Sequence, residues 1–207
     1  MNIDQDIDYL RANLSLHIHN VLPARQCGEM IERYEAASAG GAPDAVVEEL
    51  IQECEGRVFT SEVQTLLQRY FQSPFKSLWP IFDVVDSSAS THNLNTRWHL
   101  DGGAINTHKI FIYLNPVAEH GGNTVMVDLE STKKLSRAGM LPVALSERQE
   151  DLTEVFEQLG IGSSLLAYDL SAGDALLFDP LKLAHKCLPP KAGKRRYTIS
   201  FTIVPNI

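Results

Sequence analysis

A histidine and an aspartate two residues apart form the most chemically suggestive point of the sequence. Residues 96–103 read Thr-Arg-Trp-His-Leu-Asp-Gly-Gly, so His99 and Asp101 stand at alternate positions. Alternate side chains of an extended chain point the same way, and these two would share one face at a strand end. An imidazole and a carboxylate, joined by a distant second histidine, form the 2-His-1-carboxylate face that holds non-haem Fe(II) and leaves positions open for substrate and oxygen. The pattern therefore predicts a metal site.

The third ligand must come from the other histidines of the chain, which has seven in all. His185 differs from the rest because a turn, residues 189–194, and a β-rich segment, residues 195–201, follow it. We therefore predict His99, Asp101 and His185 as the metal ligands. A surface or capping role is expected for the remaining five, which are His17 and His19 in a helical region, His92 in a polar loop, His108 at a strand start and His120 in a Glu-His-Gly-Gly turn.

A series of short motifs connects this site to the end of the chain. His-x-Asp is followed by Tyr-Leu-Asn at 113–115, Gly-Gly-x-Thr at 121–124, Gly-Asp at 173–174, His185 and Arg-Tyr-x-Ile-Ser at 196–200. In order and spacing, the series resembles the Fe(II)/2-oxoglutarate-dependent oxygenase superfamily over about residues 77–204, and most closely its prolyl-hydroxylase-like and phytanoyl-CoA-dioxygenase-like branches. The resemblance implies a double-stranded β-helix, or jelly-roll, fold. It also implies the same three metal ligands.

The resemblance further implies which residues bind 2-oxoglutarate. In the family, an arginine after the second ligand histidine pairs its planar guanidinium with the far carboxylate of the co-substrate. Arg196 is 196 − 185 = 11 positions beyond His185 and stands in the family's Arg-Tyr pattern, whereas Arg195 would point to the opposite face of the strand. Ser200 shares the face of Arg196, and Tyr113 is implied to donate its hydroxyl to the same carboxylate.

Other interpretations of these polar residues stay open. The two arginines could be charges that protect an edge strand, and Tyr113 could be a core tyrosine. Arg97 shares the parity of His99 and could point into the cavity. Lys109 shares the parity of Tyr113 and could reach the cavity mouth or be solvated.

The periodicity of the chain changes at about residue 77. Before this point, three amphipathic stripes predict helices that begin near Pro23, near Val46 and near Val63. After it, β-branched and aromatic runs predict strands at Ile81–Val85, Lys109–Leu114, Thr124–Val127, Ala175–Phe178 and Arg196–Val204.

One predicted helix interrupts the strand-rich half. Ser146 and Gln149 match a capping box at its start, and Gly160 ends it, within an insertion of residues 131–167. This insertion and the loop at residues 87–96 are expected to form the mouth of the site. The chain is expected to be a single domain, mainly β with flanking helices. A jelly-roll or cupin-like core at 77–207 would pack against an N-terminal helical layer at 1–76.

Composition excludes several classes of partner. The 207 residues carry a net charge of −8, from 26 acidic and 18 basic residues, and contain no basic block, so nucleic acid is not an expected partner. The sequence begins without an export signal and has no apolar run of membrane-spanning length, so a cytoplasmic protein without membrane contacts is expected. Cys27, Cys54 and Cys187 are too far apart for a thiolate zinc site and are expected to be ordinary thiols.

The expected activity is that of a dioxygenase with Fe(II), 2-oxoglutarate and O2. As the resemblance implies, such an enzyme releases succinate and CO2 and hydroxylates an unactivated C–H bond, here of a small metabolite or amino acid. One alternative is a peptidyl or protein hydroxylase with the same chemistry. Another is a cupin-type metalloenzyme that does not use 2-oxoglutarate and has no need of Arg196, Ser200 and Tyr113. The oligomeric state is not predicted.

Overall fold

The computed structural model of the protein describes residues 2–87, 94–103, 106–162 and 165–206. His92, with most of the predicted loop at 87–96, lies outside these residues. The chain combines helices, at 41%, with antiparallel strands, at 24%. Helix therefore takes a larger share than the expected mainly β composition.

Helices make up most of the first third of the chain. In order, its elements are α1 (Ile3–Asn13), β1 (Ser15–Ile18), α2 (Ala24–Ala39), α3 (Pro43–Val58) and α4 (Ser61–Phe71). The three predicted amphipathic stripes are α2, α3 and α4.

The structure corrects the prediction for the first twenty residues, because His17 lies in β1 and His19 just after it, not in a helix. Leu14 has a left-handed φ of 57° and ends α1. The chain then turns into a strand that pairs with a distant part of the sequence.

The rest of the chain contains seven labelled strands and three labelled helices. They are β2 (Phe75–Asp86), β3 (His108–Tyr113), α5 (Val117–His120), β4 (Thr124–Val127), α6 (Leu129–Arg137), α7 (Thr153–Leu159), β5 (Leu165–Leu166), β6 (Ala175–Phe178), β7 (His185–Cys187) and β8 (Arg195–Pro205). The five predicted strands are confirmed as β2, β3, β4, β6 and β8, and the bounds of β4 and β6 are as predicted. β1, β5 and β7 were not predicted.

The strands form two antiparallel sheets. One has five strands in the order β1-β6-β3-β8-β2, and the other has three in the order β5-β4-β7. Side chains of the two sheets meet between them: Tyr113 of β3 contacts Thr124 of β4, and Arg196 of β8 contacts Cys187 of β7. The space between the sheets is where the candidate site lies.

The helical layer covers the outer face of the larger sheet. Ile199, Phe201 and Ile203 of β8 are buried in one apolar cluster with Leu50 of α3 and Leu66 of α4. Alternation along β8 therefore directs every second side chain toward the helices and the others toward the smaller sheet. The helices thus fix the orientation of the strand that supplies the inner face.

The predicted insertion differs in detail from the expectation. Ser146 belongs to a 3-10 turn, Leu145–Glu147, and α7 begins later, where the Asp151 carboxylate accepts a hydrogen bond from the Thr153 backbone N–H at 2.8 Å. The capping-box prediction is wrong because Asp151 supplies the carboxylate at the helix start. Gly160 ends α7 as predicted, with a φ of 64°.

Candidate metal centre

His99 and His185 are brought side by side by a single antiparallel bridge between their backbones. The His99 N–H donates to the His185 carbonyl at 3.1 Å, and the His185 N–H donates back at 3.0 Å. Directly paired residues project to the same side of a sheet. The two imidazole ring centroids consequently lie 4.3 Å apart.

Backbone carbonyls orient both rings. His99 Nδ1 is 2.7 Å from the Arg97 carbonyl oxygen, and His185 Nδ1 is 2.9 Å from the Leu183 carbonyl oxygen. A carbonyl can only accept, so each Nδ1 carries the proton and each neutral ring keeps its lone pair on Nε2. In metal sites, such a hydrogen bond from Nδ1 fixes the imidazole in the tautomer whose Nε2 can bind the metal.

Asp101 faces the two free nitrogens with one oxygen only. Its Oδ1 lies 3.4 Å from His99 Nε2 and 3.9 Å from His185 Nε2, while its Oδ2 lies 2.6 Å from Lys109 Nζ. Ligand atoms of the three residues all lie within 4.8 Å of one another. The arrangement offers two nitrogens and one oxygen to a single point, with the second carboxylate oxygen held by a lysine.

The electrostatics keep the ring of His185 and the carboxylate in metal-binding form. Burial, followed by the nearby His99, lowers the pKa of His185 to about 3, so this ring is neutral at neutral pH. Burial raises the pKa of Asp101, but the Lys109 ammonium, 2.6 Å from Oδ2, favours the anion, and the pKa falls well below its usual range. Metal binding needs a neutral imidazole and an ionised carboxylate.

A cavity between the sheets opens at these side chains. His99, His185, Lys109, Thr124 and Arg196 are among its lining residues. Arg196 is 4% exposed; its Nη1 donates to Cys187 Sγ at 2.7 Å and its Nη2 to the Asp83 carboxylate at 3.3 Å. Arg196 Nε is buried and has no hydrogen-bond partner within the described ranges.

The neighbouring arginine faces the other way. Arg195 is half exposed and donates from Nη1 to both carboxylate oxygens of Glu35, at 3.0 Å each, on the helical side of the sheet. The structure therefore brings Arg196, and not Arg195, into the cavity with His99 and His185.

The inner face of β8 carries a run of buried polar side chains, Arg196, Thr198, Ser200 and Thr202. Thr198 Oγ1 is also buried without a partner among the residues that the structure describes. Ser200 lies opposite Phe111 of β3, on the face of Arg196, but is not among the residues that line the cavity. Sequence reasoning missed Thr198, although its position between Arg196 and Ser200 in the alternating pattern could have identified it.

Tyr113 is placed behind the cavity wall and does not line it. The residue is fully buried; its hydroxyl donates toward Thr124 Oγ1 at 3.1 Å, with Asn123 Oδ1 at 3.4 Å as a second acceptor, and it accepts from the Thr124 N–H at 3.1 Å. Burial raises the pKa of this phenol, so it stays protonated. Thr124, which was predicted only as part of the Gly-Gly-x-Thr motif and not as a site residue, lines the cavity in its place.

The remaining candidates, Arg97, His108 and His120, are not among the residues that line the cavity. Arg97 is not a lining residue, and its Nη1 donates to the Arg148 carbonyl at 3.4 Å. His108 is buried, with Nε2 at 3.1 Å from the Tyr70 hydroxyl, so a surface role is wrong for it. His120 is also buried, and its Nδ1 accepts from the Gly122 N–H at 3.0 Å, which makes it a capping histidine.

No protein-family model and no curated protein matches the chain. Solved structures do. The non-heme alpha ketoglutarate dependent epimerase SnoN from nogalamycin biosynthesis is 14% identical, with a TM-score of 0.62, over 98% of this chain and 82% of its own. The carbocyclase SnoK from the same biosynthesis is 15% identical, with a TM-score of 0.62, over 97% and 83%. HygX from Streptomyces hygroscopicus, solved with nickel and 2-oxoglutarate, is 13% identical, with a TM-score of 0.62, over 98% and 87%. The chain has the fold that these enzymes share.

Proposed function

We propose that the chain is an Fe(II)- and 2-oxoglutarate-dependent oxygenase whose metal is held by His99, Asp101 and His185. The observation that carries the proposal is the convergence of two Nε2 atoms and one carboxylate oxygen beside a cavity that also holds a buried arginine. We interpret the two facing antiparallel sheets as the double-stranded β-helix implied by the sequence.

The donor set fits non-haem iron in kind and in spacing. Metal–ligand bonds of about 2.1 Å at right angles would separate neighbouring donors by about 3 Å. The Asp101 Oδ1 distances of 3.4 and 3.9 Å to the two imidazoles require only small side-chain rotations to reach that spacing. Because Lys109 holds Oδ2, the carboxylate would bind through one oxygen and leave a further position open.

The buried donors near Arg196 suit the far carboxylate of 2-oxoglutarate. Arg196 Nε and Thr198 Oγ1 have no partner in the described part of the chain, and burying such groups unpaired is costly. A carboxylate can accept from both, with Arg196 as its counter-charge. Ser200 on the same face would add a third donor, while Tyr113 would act indirectly by holding Thr124 at the cavity wall.

Each residue then has a defined task. His99, Asp101 and His185 would hold the iron, and Lys109 would keep Asp101 oriented. Iron(II) bound here would supply the activation of dioxygen, coupled to decarboxylation of 2-oxoglutarate to succinate. The protein's contribution is to orient the co-substrate and to keep water from the reacting atoms.

We propose hydroxylation of an unactivated C–H bond in a small metabolite as the reaction. Two structural neighbours are an epimerase and a carbocyclase of nogalamycin biosynthesis, which supports a small organic substrate. Because these two enzymes share a fold and differ in reaction, product mass is the deciding measurement. A product heavier by one oxygen supports hydroxylation, whereas a product of unchanged mass indicates epimerisation and a loss of two hydrogens indicates ring closure.

The metal and co-substrate can be tested without the substrate. Purified protein with Fe(II) and 2-oxoglutarate under anaerobic conditions should develop a weak visible metal-to-ligand charge-transfer band. Admission of oxygen should then release succinate slowly. His185→Ala is the matched control and should give neither signal. Iron binding without the band or succinate would instead favour a metalloenzyme of the cupin type.

A further inference from the structure

A second group of metal-binding side chains lies at the far end of β6 from the candidate iron centre. His17 belongs to β1, His19 follows it, and Asp174 directly precedes β6. Ile18 pairs with Ala175 in the β1–β6 register, which brings the two histidines and the aspartate together across neighbouring strands. At the other end of this short strand, the ring of Phe178 packs on His185 at 5.0 Å.

Three ligand atoms converge in this group as they do in the first one. Asp174 Oδ2 lies 2.8 Å from His17 Nε2 and 3.7 Å from His19 Nδ1. The two imidazole centroids are 3.9 Å apart. One nitrogen from each ring and one carboxylate oxygen all lie within 4.8 Å of one another.

We propose that His17, His19 and Asp174 form a second site, for a divalent transition-metal ion such as Zn(II) or Ni(II). A tetrahedral ion with bonds of about 2.0–2.1 Å would place its donors about 3.3 Å apart. The two separations from Asp174 Oδ2, 2.8 and 3.7 Å, lie on either side of that value, so shifts of about 0.5 Å would bring both to it. Imidazole nitrogen with a single carboxylate favours zinc, nickel or copper over magnesium or calcium.

The carboxylate is held in place before any ion arrives. Asp174 Oδ1 accepts from the Asn20 backbone N–H at 2.9 Å, and Oδ2 accepts from the Ser171 backbone N–H at 3.0 Å. Burial raises the pKa of Asp174, but these backbone donors outweigh burial, and the pKa is lowered. The group is therefore an oriented anion at neutral pH, and two imidazoles face the same oxygen. An ion would replace the His17 hydrogen bond to this oxygen.

Solvent can reach the group from one side. The side chain of Asp174 is 4% exposed and that of His17 16%, whereas that of His19 is 72% exposed. Asp6 of α1 lines a surface pocket together with His17 and His19 and adds negative charge beside the opening. A bound ion would thus take water as its remaining ligands and would tie β1 and its following residue to the turn before β6.

Counting bound metal in four proteins tests this site separately from the proposed iron centre, since the two share no residue. Metal-free full-length protein would be titrated with Zn(II) against a chromophoric chelator. Wild type should bind two equivalents, His19→Ala one, His99→Ala one, and the double variant none. Each single variant is the matched control for the other, and His19→Ala should keep the charge-transfer band with Fe(II) and 2-oxoglutarate.

His17→Gln provides a second line of evidence. Its amide nitrogen can still donate to Asp174, so the metal-free variant should melt near the wild-type temperature, but the affinity of the second equivalent should fall at least tenfold. If His19→Ala and His17→Gln both bind Zn(II) with wild-type stoichiometry and affinity, the three residues form only a hydrogen-bonded contact and the proposal is wrong. A single equivalent in wild type, lost in His99→Ala, would lead to the same conclusion.

Discussion

Replacing Arg196 with alanine removes the only guanidinium that the structure turns into the cavity within the described residues. This side chain contacts Cys187 and Asp83. Asp83 is 37% exposed, so water can solvate its carboxylate after the change. We therefore expect the variant to fold, and its main defect to be the loss of a counter-charge for the far carboxylate of 2-oxoglutarate.

The size of the defect follows from the energy of a charged hydrogen bond. Such bonds contribute roughly 1.5–3 kcal/mol, and about 1.4 kcal/mol corresponds to a tenfold change in affinity. The dissociation constant of 2-oxoglutarate should therefore rise about ten- to a hundredfold in Arg196→Ala. Arg196→Lys keeps the charge but loses the planar fork, and its defect should be intermediate.

Arg195→Ala is the matched control, because it removes the same side chain one position earlier. The side chains of Arg195 and Glu35 are 50% and 39% exposed, and a surface ion pair of this kind contributes about 0–1 kcal/mol to stability. The 2-oxoglutarate dissociation constant should stay within about threefold of wild type, the scale of a surface substitution.

Anaerobic titration of the Fe(II) protein with 2-oxoglutarate, followed by the charge-transfer band, measures the constant in all variants, and a separate Fe(II) titration checks the metal. Iron affinity should change little. A large loss in Arg195→Ala with a normal Arg196→Ala would refute the assignment.

Two further substitutions test other parts of the site, and a third tests a buried histidine outside it. Asp101→Gly should abolish succinate release while circular dichroism shows a folded protein, because the side chain is 19% exposed and lies outside the apolar clusters. Wild-type turnover would remove Asp101 from the metal shell. Thr198→Val should raise the 2-oxoglutarate dissociation constant about three- to tenfold, which corresponds to the loss of one neutral hydrogen bond. Stability should not fall, because the hydroxyl has no partner within the described ranges. An unchanged dissociation constant would place the co-substrate elsewhere. Burial lowers the pKa of His120 to about 4, so the unfolded chain takes up the proton first and stability falls as the pH drops from 6.5 toward 4. We expect His120→Asn to remove roughly 1 kcal/mol of the difference in unfolding free energy between pH 7 and pH 5, after allowance for solvent screening. Urea denaturation of metal-free wild type and metal-free His120→Asn across this pH range measures the difference. Parallel pH profiles for the two proteins would contradict the expectation.

The alternation of side chains along a strand predicted which residues of β8 face the candidate site. It does not explain Thr124–Val127 and Ala175–Phe178, which are buried at every position and were predicted from their short length and their β-branched or aromatic residues. The same alternation separates Arg195 from Arg196. Strands of two or three residues, such as β5 and β7, are too short to show any period.

Contacts between the sheets were not predictable from periodicity. The Tyr113 hydroxyl is used by Thr124, on a strand of the opposite sheet, so a tyrosine on the expected face is still not exposed to the cavity. The contact between Lys109 and Asp101 was equally unpredictable. The two residues lie on different segments of the chain, and only the folded structure brings them together. Residue type and position along a strand predict which face of the sheet a side chain is on. The distance from that side chain to the opposite sheet depends on packing and is not encoded in the periodicity.

The helical layer explains how a core strand can present so polar an inner face. Leaving a buried donor unpaired costs about 1–3 kcal/mol, and β8 has two such atoms, Arg196 Nε and Thr198 Oγ1. Fully burying a large apolar side chain contributes about 1.5–3 kcal/mol, and the opposite face of β8 buries Ile199, Phe201 and Ile203 against the helices. The two terms are of similar size, so the outer face can offset the inner one. The strand can therefore fold with these two donors unpaired, and under the proposed function the far carboxylate of 2-oxoglutarate would pair both.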